Sequence, residues 1–340
     1  MSIALSFAGR HLVGYNVIDC EVRDREFLYL LLREDYTQHK GWNDSKDPPS
    51  EGRLSKRAVS LNLSNEDQKK WGSMSLKGLQ RSMCAMAFAP ERKLVVIDND
   101  SFAWVHSNST DGFEGEIESQ FKGGILRGSV LKIRGFGDEA ICSSNGRDVL
   151  RRRSVGHWER IGPQLPYEFT AETAGDFGFN DFDCFSPNDL YAVGGLSDVW
   201  HFDGTNWRQC AFPTNTGPSS VCCTVDGLVY ISVGAGWVYR GSGDRWKLIH
   251  KGDYTLPFKD MVWYEGKVWC SSDYGLWTIE GEKLTEADVP PAVKICSGNL
   301  ATRDGVLLVA GYGGAAFKRD GEWTVIFHDH EARDLASKPK

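Results

Sequence analysis

The chain has 340 residues, a formal net charge of −7 and a pI near 5.7. Hydrophobic residues at 41% and aromatics at 12% supply a packed core, which excludes a disordered chain. The acidity opposes a phosphate backbone and no run approaches the roughly 18 apolar residues of a membrane span, so neither a nucleic acid nor a membrane is expected as partner.

The opening MSIALSFAGRHLVGY has no basic segment ahead of its short apolar stretch and reads as a strand, not a secretory signal. Next come the strand-like pieces CEVRDR and EFLYLLLRE. Residues 40–85 begin with the polar, turn-rich GWNDSKDPPSEGRLSKR and are expected to be an insertion within the first repeat. In the following LSNEDQKKWGSM, Ser64 is placed to cap a short helix, with Glu66 and Asp67 in its first turn. AMAFAPER–KLVVIDNDS–FAWVHSNST and LKIRGFGD–EAICSSNGR–DVLRRRSVG–HWERIG follow as strand–turn series. An irregular stretch from Gly162 to Asp183 then leads to DCFSPN–DLYAVGGLS–DVWHFDG–TNWRQC. Three further series close the chain, starting at CCTVDG, KDMVWYEG and NLATRDG. A polar tail is expected over 331–340.

Within these series one phrase recurs. It ends in Trp158, Trp207, Trp246 and Trp323, with Leu284 in the place of a fifth tryptophan, at intervals of roughly forty residues. Four short strands and glycine turns per repeat predict an all-β chain forming a single β-propeller over 1–340. Second strands starting near residues 27, 94, 140, 190, 228, 267 and 306 count seven blades, with six as the alternative. The leading LSFAGRHLVGYNV is expected to pair with the last blade and close the ring.

Nine cysteines occur with no Cys-x-x-Cys pair, several in strand-like runs such as KVWCSS. That pattern predicts free thiols in a reducing compartment, hence a cytoplasmic location. The Asp-Gly and Glu-Gly pairs at Asp203, Asp226, Glu265, Asp304 and Asp320 fit hairpin turns better than catalysis. The repeated tryptophans fit packing between blades better than sugar platforms. Ser271 to Trp277 resembles the Asp-box turn of sialidase-like propellers, but its aromatic falls one residue early and the arginine cluster that would bind a sialic carboxylate cannot be assigned. His328-Asp329-His330-Glu331 has ligand-type side chains, and alternation along a strand would pair His328 with His330. Its place ahead of the tail favours a solvated surface, and neither a metal nor another cofactor is assigned. Arg151-Arg152-Arg153 reads as a solvated edge.

A partner-binding face is expected on one loop rim. Asp98, Asp100, Asp198 and Asp273 come from loops between second and third strands; Asp176, Asp181 and Asp253 come from connections between blades. Tyr254, Tyr274, Tyr312, Phe177 and Phe179 lie beside them. Carboxylates for steering and aromatics for anchoring suit a basic protein.

The phrase DLYAVGGLSDVWHFDGTNW resembles the divergent propeller repeats of many bacterial proteins. The chain's overall character is similar to that of immunity proteins that block a toxin, including those of type VI secretion systems. The resemblance implies a non-enzymatic binding protein that neutralises a toxin, a nuclease among the candidates. A lectin-like propeller binding a glycan or small molecule stays open as the alternative. A propeller hydrolase is the third reading and requires central carboxylates with raised pKa values.

Overall fold

A computed structural model describes residues 8–38, 49–106, 112–167, 170, 173, 175–252 and 257–337. The chain is an all-β propeller of seven four-stranded sheets, each a meander of consecutive strands. The blades cover residues 15–76, 82–116, 130–160, 181–209, 218–250, 260–286 and 299–328, numbered 1 to 7 below. Their second strands start at Phe27, Lys93, Glu139, Asp189, Val229, Lys267 and Val306, each at or beside the position expected from the repeat.

Second strands are mainly apolar because both faces are covered. Lys93–Asp98, Val229–Val233 and Val306–Gly311 are buried at every position, whereas the fourth strand Lys283–Glu286 is mostly exposed. Three of the five acidic-Gly pairs take the hairpin geometry expected of them. Glu265–Gly266, Asp304–Gly305 and Asp320–Gly321 all have positive φ at both positions, the requirement of a type I′ turn. Of the recurring tryptophans, Trp158 is buried, while Trp207 and Trp246 pack on neighbouring cores and donate their indole N–H to Ile161 O and Gly243 O at 2.8 Å. They are packing residues.

The chain divides into two compact units: 1–84 with 271–276 and 286–340, and 85–270 with 277–285. In the first, blades 1 and 7 share one core in which Val22, Leu28 and Leu30 join Val306, Leu308 and Phe317, with Leu12 and Ala332 added from short helices. Among the described residues the expected strand exchange does not occur. Tyr15–Asp24 pairs with Phe27–Glu34 in its own blade, and blade 7 already holds a fourth strand of its own, Glu322–His328.

Three local expectations also differ. Within 40–85, Lys56–Asn62 and Trp71–Leu76 are the third and fourth strands of blade 1, and Ser82 begins blade 2. The helix expected after Ser64 is a single 3-10 turn, Asp67–Lys69. Where a polar tail was expected, Asp329–Ser337 is helical. All nine cysteines are buried free thiols, and no described helix is long and apolar enough to cross a membrane.

Candidate partner-binding face

The loops between second and third strands hold two kinds of carboxylate. Asp98 is fully buried and its Oδ1 accepts the N–H groups of Asp100 and Phe102 at 3.0 and 2.9 Å, folding the turn over itself. Asp198 is also fully buried. It accepts both arms of the Arg147 guanidinium at 2.7 Å, the Trp200 indole N–H at 2.8 Å and Gly178 N–H at 2.9 Å. Phe177 and Trp200 face the same guanidinium at 4.3 and 5.3 Å, and Phe179 is buried beside Trp207. Asp148 stands at the equivalent place in blade 3, held by Arg127 and Arg160. These groups brace the loops from inside, so Asp98, Asp198 and Phe179 are corrected from partner contacts to structural residues. Asp100 stays exposed, and Asp176 is half-buried, its carbonyl accepting Leu196 N–H at 2.8 Å.

Asp181 is corrected as well. It lies on the first strand of blade 4, 2% exposed, and accepts Arg134 at 3.1 and 2.9 Å. The same guanidinium reaches Asp260 of blade 6 at 2.9 Å, and Lys132 approaches Asp260 at 3.2 Å. Asp181 also accepts Val221 N–H of blade 5 at 3.0 Å. One ion cluster thus ties the first strands of blades 3 to 6 together. Asp183, two residues further, accepts Cys184 and Cys223 N–H at 2.9 and 2.7 Å. Burial pushes its carboxyl up to about 6, against the pull of the Arg134 guanidinium and these two N–H groups. The raised value is the feature a hydrolase requires, yet both Asp183 oxygens are committed to backbone N–H groups. The cluster reads as a fastening.

Arg152 was expected at a solvated edge and is instead 2% exposed, bound at both arms to Glu114 at 2.8 and 2.9 Å. Arg151 is buried too, leaving Arg153 as the exposed member of the three.

In the other unit the rim residues do reach solvent. Tyr274, on the turn between second and third strands of blade 6, is 82% exposed beside exposed Asp273; its N–H donates to Ser272 Oγ at 3.1 Å. Tyr312, on the equivalent turn of blade 7, is 49% exposed. Between them in sequence runs a connection that contains the short helix Pro291–Lys294, followed by Ile295 at 50% exposure. Ser271 Oγ donates to Gly298 O at 2.6 Å, holding the connection against blade 6. On its other side the Ile295 carbonyl and Cγ2 crowd Gly313, where an added Cβ would meet them at 2.1 and 2.7 Å. Tyr274, Ile295 and Tyr312 therefore project from three adjoining segments. Sequence reasoning missed Ile295, which stands among the apolar residues of ADVPPAVKICSG and carries no distinguishing signal there. Asp253 and Tyr254 lie outside the described residues. Next to Gly313, where Asp329 N–H donates to Gly313 O at 3.0 Å, His328, His330 and Glu331 bring one ligand-type atom each to within 4.8 Å of one another.

No family model matches the chain. Over 183 residues the chain is 30% identical to Immune protein Tsi7 of Pseudomonas aeruginosa, a match covering 53% of this chain and 58% of that protein. The chain thus spans little more than half the length of this curated relative. Among solved structures, the WD40 β-propeller domain of Doa1 superposes with a TM-score of 0.60 at 11% identity, over 91% of this chain and 95% of that one. YCF48 bound to D1 peptide gives 0.56 at 14% identity over 89% and 91%, and Saccharomyces cerevisiae Sqt1 gives 0.56 at 8% over 94% and 89%. At these identities the solved structures show the propeller fold alone.

Proposed function

We propose that this chain is a non-enzymatic binding protein that captures a protein toxin and neutralises it, an immunity protein of the type VI secretion kind acting in the cytoplasm. The observation that carries the reading is the 30% identity to an immune protein over 183 residues. The rim described above supports it. Exposed Tyr274 and Tyr312 flank exposed Ile295, and aromatic anchors around an apolar centre are the usual energetic core of a protein interface. With Asp273 on the same turn and a net charge of −7, a basic toxin such as a nuclease is the partner this surface suits.

The test is growth rescue. A candidate toxin encoded beside this gene is expressed in a bacterial host with and without the chain, and the purified pair is then titrated. Rescue and a stoichiometric complex are expected. Replacing both tyrosines (Tyr274→Ala with Tyr312→Ala) is expected to weaken binding by about 30-fold or more, the size of one aromatic hot spot of about 2 kcal/mol. Absence of rescue sinks the immunity reading. Rescue with unchanged affinity in the double variant keeps it and moves the interface elsewhere.

A further inference from the structure

We infer that His328, His330 and Glu331 form a binding site for one first-row divalent cation of the zinc type. The inference does not rest on the toxin reading. Three features of the chain converge on it.

The strand Glu322–His328 ends at His328 and the helix Asp329–Ser337 starts at once. That turn replaces strand alternation and brings His328, His330 and Glu331 together, with ligand atoms within 4.8 Å of one another. Two imidazoles and a carboxylate are a donor set that zinc and its neighbours accept readily.

His328 is also held as a metal ligand is held. Its Nε2 lies 2.9 Å from Ala292 O, and a carbonyl only accepts, so Nε2 carries the proton and the Nδ1 lone pair is left for a ligand role. A ligating histidine that donates its other ring N–H to a backbone carbonyl is the common arrangement around protein-bound metals. His328 is 9% exposed, so this orientation is built into the fold.

The spacing fits as well. Nδ1 of His328 stands 3.6 Å from Glu331 Oε1, long for a hydrogen bond. Two donors each about 2.0–2.1 Å from a tetrahedral zinc are separated by about 3.3 Å, so a cation between them needs only a small inward movement. The His330 ring stacks on His328 with centroids 5.5 Å apart, and being exposed it is free to turn a nitrogen inward. Glu331 in the first turn offsets the positive end of the helix, which would otherwise oppose a cation, while Asp329 pairs with Arg333 at 2.5 Å. Three protein ligands leave a fourth position for water.

The experiment is titration of the full chain with Co²⁺ and Zn²⁺, followed by calorimetry and the visible absorption of bound cobalt. One equivalent of cobalt is expected, with the d–d bands of four-coordinate nitrogen and oxygen ligation and no thiolate-to-metal charge transfer. His330→Ala is expected to abolish this binding, and Glu331→Gln to weaken it at least tenfold. Both residues are exposed, so the metal-free variants should melt with the wild type, and Zn²⁺ should raise the melting temperature of the wild type alone. Failure to bind, binding that survives His330→Ala, or a thiolate charge-transfer band assigning the metal to cysteine would each overturn the proposal.

Discussion

The charged side chains divide by partner more than by position. Asp98, Asp181 and Asp198 resemble the exposed Asp100 and Asp273 in sequence, yet they turn inward because a donor waits there. For Asp181 that donor is Arg134, 47 residues away; for Asp198 it is Arg147, 51 away. Neither separation leaves a local pattern, so the sequence shows an acidic loop and hides the arginine beneath it. A subtler signal was present: Asp148 and Asp198 occupy the same place in successive blades, and recurrence favours a structural role. Asp183 gives this arrangement a pH dependence. Its ordinary pKa is about 3.9 and in the folded chain it is raised to about 6. A carboxyl raised on folding holds its proton more tightly in the native state. Its contribution to stability is complete below about pH 4 and is lost as the pH climbs through 6. Against Asp183→Asn, which cannot ionise, the wild type is expected to lose up to about 3 kcal/mol of relative stability between pH 4 and 7. Urea unfolding of both proteins across that range measures the gap; a constant or widening gap contradicts the buried-carboxyl account.

At the level of strands and turns, the repeat was legible where apolar runs are short and bounded by glycine. That is why the second strands start where the repeat places them. It was not legible in blade 1, whose third strand KRAVSLN follows a long polar stretch and whose fourth, WGSMSL, is reached through the glycine-free residues 63–70. Two glycines separate two kinds of constraint. Gly305, at φ +73°, is the second residue of a hairpin turn, and an added Cβ would meet nothing closer than Arg25 Nη1 at 3.5 Å. Gly178, at φ +110°, would put a Cβ 2.2 Å from Asn145 O. Gly305→Ala should therefore cost about 1–2 kcal/mol, the penalty for a left-handed residue. Gly178→Ala should cost clearly more, because backbone must move. Denaturation midpoints of the two variants decide the point, and equal losses would refute the distinction.

Across the whole molecule, nine thiols and no disulfide follow from strand positions that take a small apolar residue. Burial raises Cys210 to about 11 and Cys296 to about 12, so neither carries appreciable thiolate near neutral pH. Ellman's reagent should therefore release almost nothing from the native chain and nine equivalents after unfolding in guanidinium. Rapid reaction of several thiols in the native protein would mean that these strands open readily. The architecture could be read from the period alone, whereas the exposed rim could not, since exposure depends on how neighbouring connections are braced.

Among the described residues every blade is cut from one continuous stretch of chain, and none borrows a strand from another. The seams between blades are therefore natural joints for the gene. Recombination at a seam adds, removes or exchanges about forty codons and delivers a whole folded layer, never half a sheet. The stretch bearing Tyr274 can be inherited, lost or replaced as a module, and under the proposed toxin reading that would let one lineage follow a partner that keeps changing its shape.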